Sequence, residues 1–139
     1  MRRVGTTAVA LAIVLGISGV AGAASKRDEK AYKAFLTQLS GVQSQVIAVK
    51  QAALQPDASA LDAPCTQLGQ VVTTAQATKR PKLVKAAVWS HVQSGYSHYQ
   101  AAAANCLKHA PATSFFADAI HELSLGNQEI RTVQQALHL

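Results

Sequence analysis

Charge, aromatic rings and catalytic motifs are all scarce in this 139-residue chain. Only 14% of the residues are charged and 5% aromatic. So few rings, and no recognisable DNA-binding motif, argue against nucleic acid as a partner despite a net charge of +6. There is no phosphate-binding glycine loop, no G-x-S-x-G and no H-E-x-x-H. The seven acids and five histidines are dispersed and assemble no general acid–base set. A non-enzymatic protein is therefore expected. The single methionine is Met1, C-x-x-C-H is missing, and no histidine sits at the centre of an apolar stripe. Haem is not expected, and neither is any other cofactor.

Alternating β-branched runs are missing too. Ala, Gln and Leu dominate, which favours helix over strand. The expected class is all-α.

What is present begins at the N-terminus. Arg2 and Arg3 precede an uncharged run, Val4 to Ser25, with an apolar centre at Ala8 to Ile17 and the small residues Ala21-Gly22-Ala23 at its end. A basic start, a short apolar middle and an Ala-x-Ala close describe a secretory signal peptide, residues 1–23, cleaved after Ala23. No Cys follows, so a lipid anchor is not indicated. The competing possibility is an uncleaved anchor, because about 20 residues can span a bilayer. Gly5, Gly16, Gly19 and Gly22, with Thr6, Thr7 and Ser18, dilute that run. Losing Arg2 and Arg3 leaves 11 basic against 7 acidic residues, a net +4, in one domain of residues 24–139. A periplasmic or secreted location and a bacterial envelope fit this pattern.

Four helical stripes follow. Helix 1, about 26–54, carries Tyr32, Phe35, Leu39, Val42, Val46, Val49 and Ala53 in 3-4 spacing. Pro56 and Asp57 stop it. Helix 2 carries Leu61, Cys65, Leu68, Val72 and Ala75, with Asp62 as candidate N-cap and Pro64 in the first turn. Helix 3, from near Pro81 to about His109, carries Val84, Val88, Val92, Gly95, Tyr99, Ala102 and Cys106. Helix 4, capped by Thr113 or Ser114, carries Phe116, Ala119, Leu123, Gly126, Ile130, Val133 and Leu137. Short connections favour an up-down-up-down four-helix bundle. Two hairpins that complete a core only on dimerisation are the alternative.

The two cysteines, Cys65 and Cys106, are expected to form one intramolecular disulfide in an exported chain. Helix register opposes it. With a turn at Arg80, Cys65 lies level with about position 95, and eleven further residues of helix amount to about 16 Å. A kink near Gly95, a shifted helix 2 or a bond between chains would each resolve the conflict.

Up-down topology gathers Lys26, Arg27, Lys30 and Lys33 with Lys79, Arg80, Lys82 and Lys85 at one pole, with Arg131 toward the same end. Asp28 and Glu29 offset part of this charge. The other pole holds Lys50 and Lys108 against Asp57, Asp62, Asp118 and Glu122. Cations beside helix N-termini make an anion-binding end. An anionic envelope component, a membrane surface or an acidic protein is the expected partner.

The histidines offer a second possibility. His91 and His98, seven residues apart, are about 10.5 Å distant along one helix, too far to share a metal unaided. Around the Ala110-Pro111 turn, His98 falls level with Glu122 and His91 with Glu129. If those flanks meet, two His–Glu pairs cross the helix 3–4 seam. If the opposite flanks meet, Trp89, Tyr96, Ile120 and Asn127 line it. A metal or small-ligand carrier would use His91, His98 and Glu122, with His121 pointing away. Gly95 and Gly126 on the stripes imply either close helix approach or a small cavity near Tyr99, Val92 and Leu123.

Overall fold

A computed structural model describes residues 24–55, 57–108 and 113–139, with the side chains of the last stretch from 117 onward. The signal-peptide segment 1–23, the Ala110-Pro111 stop and the side chain of Phe116 lie outside the described residues. The described residues form four α-helices packed together, with no strand. They are α1 (Lys26–Ala52), α2 (Asp62–Gln76), α3 (Ala86–Cys106) and α4 (Thr113–Leu137). No helix among them is long and apolar enough to cross a membrane.

Every helical stripe supplies residues to one core. Phe35, Leu39, Val42, Val46 and Val49 from α1 pack with Cys65, Leu68, Val72 and Ala75 from α2. Val92, Tyr99 and Ala102 from α3 and Leu123, Ile130 and Val133 from α4 close it. The α3 stripe is wider than its 3-4 spacing implies, because Tyr96 and Ala103 are also buried. The reason is position: α3 meets each of the other three helices. Its Cys106 bonds Cys65 of α2, Tyr99 meets Gln43 of α1, and His98 meets Glu122 of α4.

Local signals explain the ends. Ser25 caps α1, its Oγ accepting from the Asp28 N–H, and Asp28 and Glu29 suit the positive end of the helix. Asp62 does not cap α2. A 3-10 turn, Ala58–Leu61, runs straight into the helix, and the Asp62 N–H already bonds the Ser59 carbonyl. Asp57 caps that turn, accepting from the Ser59 N–H, and the Ser59 side chain together with that N–H holds its carboxyl below the usual carboxylate range. At the far end of the chain, His138 takes a φ of 56°, and the Leu139 N–H reaches back to the Gln134 carbonyl. This closing turn folds Leu139 against the side of α4.

Helix 3 starts at Ala86, five residues later than Pro81 suggests, and this resolves the cysteine register. Residues 77–85 form no helix, and a turn at 81–84 is closed by the Val84 N–H on the Pro81 carbonyl at 3.0 Å. Pro81 keeps its predecessor extended, Val84 is buried in the core, and Arg80 Nη1 donates to the Val84 carbonyl at 2.8 Å. The nine non-helical residues between α2 and α3 supply the slack that a tight turn at Arg80 would lack, since about five extended residues already cover about 16 Å. The connection therefore runs on past the end of α2 before α3 begins. The α2–α3 contacts then fall at Cys65 with Cys106, Gly69 with Ala103, and Thr73 with Gln100. The cysteine Cα atoms are 6.2 Å apart and the disulfide closes within the chain. It encloses a separation of 41 residues, which the chain-entropy picture values at about 3–4 kcal/mol.

The glycines divide by environment. A Cβ at Gly126 would lie 2.5 Å from the Tyr99 ring, and one at Gly95 would lie 2.8 Å from Ile130 Cδ1. These positions are close helix approaches, and the Tyr99 ring fills the space where a cavity was the alternative. A Cβ at Gly41 meets nothing within 4 Å. Gly126→Ala should therefore destabilise by about 1–3 kcal/mol through overpacking. Gly41→Ala should stabilise by about 0.5–1 kcal/mol through helix propensity. Urea unfolding of the two variants, side by side, checks the opposite signs.

Candidate functional site

The basic pole is built by register. Gln38 Nε2 donates to Thr78 Oγ1 at 3.0 Å, and the Phe35 and Trp89 rings lie 5.8 Å apart. These contacts set the first half of α1 beside the α2–α3 connection and the start of α3. Lys26, Arg27, Lys30 and Lys33 occupy the exposed side of the first turns of α1. Lys79, Arg80, Lys82 and Lys85 are exposed on the connection. Among the described residues, none of the eight takes part in an ion pair. Lys85 holds the N-cap position of α3 without a side-chain cap bond, and the first turn of α3 has no acid. Its free N–H groups thus face a cationic neighbourhood, which suits an anion. Arg131, on the last third of α4, is also exposed. At the opposite end, Lys50, Asp57, Asp62, Lys108 and Asp118 are exposed.

The His–Glu flanks meet. His91 Nδ1 lies 2.5 Å from Glu129 Oε2, and His98 Nδ1 lies 2.6 Å from Glu122 Oε2. Ser94 Oγ donates to the other Glu129 oxygen at 3.3 Å. The His91 bond is the main cause holding the Glu129 carboxyl below its ordinary value. Trp89 and Tyr96 turn instead toward α1 and the core. As a metal set, His91, His98 and Glu122 are not brought together. Each histidine is committed to its own glutamate, and no group of three His, Cys, Asp or Glu among the described residues is placed to hold one ion. His121 is exposed on another side of α4.

A buried polar tie was not anticipated. Gln43 Nε2 donates to Tyr99 Oη at 2.9 Å, and Tyr99 donates to Asn127 Oδ1 at 2.7 Å. Burial, against the opposing effect of Gln43, pushes the Tyr99 hydroxyl up to about 12. It therefore stays protonated and keeps donating. The available signal was a polar-tipped ring at the centre of an apolar stripe, which needs a partner wherever it is buried. Tyr96 is buried as well, and its hydroxyl is also pushed up by burial.

Compared with known proteins, the chain matches no family model, no curated protein and no solved structure.

The lowered Glu129 carboxyl fixes a pH effect. A depressed carboxylate contributes stability above its unfolded pKa, and the contribution is lost as pH falls through the folded value. Wild type should exceed Glu129→Gln in stability near pH 6. The gap should close as pH is taken down through the carboxylate range. Denaturant midpoints of both proteins between pH 6 and pH 3 measure it. A gap independent of pH would leave the His91 bond without the expected role.

Proposed function

We propose that this chain is an exported, non-enzymatic binding protein, an up-down-up-down four-helix bundle whose basic pole docks on an anionic surface. The observation that carries the reading is the pole itself: eight exposed cations, unpaired among the described residues, around an uncapped helix N-terminus. Cations near a helix start are disfavoured by a few tenths of a kcal/mol each. A bound anion reverses that cost, so the arrangement favours the docked state. The surface is the anionic face of the envelope, and docking is electrostatic and sensitive to salt.

Export rests on the 1–23 leader, and a Cys65–Cys106 bond fits the oxidising compartment beyond it. Cleavage after Ala23 frees the start of α1 and completes the pole. An uncleaved leader would hold the same pole against the membrane. Either way the positive end sits near anionic material.

Vesicle co-sedimentation tests the docking. Phosphatidylglycerol-containing vesicles should bind the protein, and pure phosphatidylcholine vesicles should not. Raising ionic strength from about 0.01 M to about 1 M shortens the screening length from about 30 Å to about 3 Å and should abolish binding. The pair Lys82→Glu and Lys85→Glu should weaken it at least about tenfold, at about 1 kcal/mol per cation near the surface. Binding that ignores both salt and charge reversal would overturn the reading.

A further inference from the structure

The α1–α4 seam carries a groove and, farther along α1, an exposed apolar side chain. A groove of about 510 Å³ opens between the two helices at the half nearer the basic pole. Leu36, Leu39 and Leu139 give it apolar walls, with Ser40 and Gln134 on its rim. Leu139 is there because the turn at His138 folds it back. Toward the other half, the same side of α1 carries an apolar knob. Ile47 follows Gln43 by four residues and so continues the face that lines the groove, while Leu54 lies just past the C-cap Ala53. They are 54% and 84% exposed. Of the five large hydrophobics exposed among the described residues, four lie on or just beyond α1 and α4: Ile47, Leu54, Ile120 and Leu139. An apolar groove with an exposed isoleucine on the same helix face is the kind of surface a partner covers.

We propose that the occupant of this seam is a second copy of the chain, related by a two-fold axis that crosses α1 near Gln43 and Ser44. Such an axis carries Ile47 of each copy onto the groove of the other, opposite Ser40. The contact is isologous: the knob meets the groove twice. Charge supports the same direction. The axis sets the bundles antiparallel, and the basic pole of one copy lies beside the end of the other where Asp57, Asp62, Asp118 and Glu122 outnumber Lys50 and Lys108. A parallel pair would bring the two basic poles together and be repelled. Along α1 itself no charged residue lies between Lys33 and Lys50, so the α1 side of the contact buries no charge. The inference stands apart from the docking reading, since Ile47 and Ser40 are not part of the pole.

Sedimentation equilibrium across a concentration series tests it. The wild type should pass from monomer to dimer with rising concentration. Ile47→Glu places a charge in the groove of the partner at two symmetric points. It should raise the dissociation constant at least about tenfold. Ser40→Trp blocks the groove from an exposed position and should do the same, which keeps the test open if Ile47→Glu fails to fold. Both variants should still bind anionic vesicles as monomers, so this result and the docking result can fail separately. A wild type that is monomeric at every concentration overturns the proposal. So does a dimer indifferent to both substitutions, or a seam filled by a co-purified small amphiphile.

Discussion

The bundle is organised around the contact of Tyr99 with Gly126. The ring occupies the volume that any other residue at 126 would need for its Cβ. Gly95 lets α4 come close from the other side, with Ile130 against it. The close approach of α3 and α4 then brings their flanks within hydrogen-bond reach, and both His–Glu pairs form. The same ring sends its hydroxyl to Gln43 of α1 and Asn127 of α4. A buried hydroxyl without partners is costly, and each partner restricts the rotation of its own helix. One side chain thus sets both the spacing of two helices and the rotational setting of three.

Length along the bundle is set elsewhere. Helix α2 is the shortest of the four, and the connection after it makes up the difference with nine non-helical residues anchored by the buried Pro81 and Val84 and the turn between them. That stretch decides which residues of α2 and α3 are level, and so whether Cys65 can reach Cys106. It also carries half of the basic pole. The segment that solves the register is the one that presents Lys79, Arg80, Lys82 and Lys85 to solvent. Its irregular backbone, with four cations and no acid, suits a surface that meets something negative more than one that adds stability.

The proposed docking pole and the proposed self-association seam draw on one property, the segregation of charge along the long axis. Cations crowd one end, acids prevail at the other, and the long middle of α1 is neutral. An end-on field steers an anionic partner to the pole. The neutral side leaves apolar side chains to decide lateral contacts. The His–Glu pairs, by contrast, sit on the flank of a seam already closed and serve α3–α4 packing. Half-exposed pairs of this kind contribute little individually, about 0–1 kcal/mol.

Much of the architecture was legible because helical periodicity is a local property. The stripes of α1, α2 and α4 and the outward placing of Gly41 follow from residue spacing alone. So does the level pairing of His91 with Glu129 and His98 with Glu122, although their meeting depended on which flanks faced each other. Helix ends were less legible: Asp62 looked like a cap and Pro81 like a start, because caps depend on where neighbouring backbone groups already find partners. What the amino-acid order determined alone was the all-helical class and the apolar faces; the packing of α1 beside the α2–α3 connection gathered the cations at one end. Only tertiary packing decided the path of residues 77–85, the closure of the disulfide, the burial of Tyr96 and the Gln43–Tyr99–Asn127 tie. Each of these depends on how far one helix slides or rotates against another, and that is settled by side-chain volume across the interface.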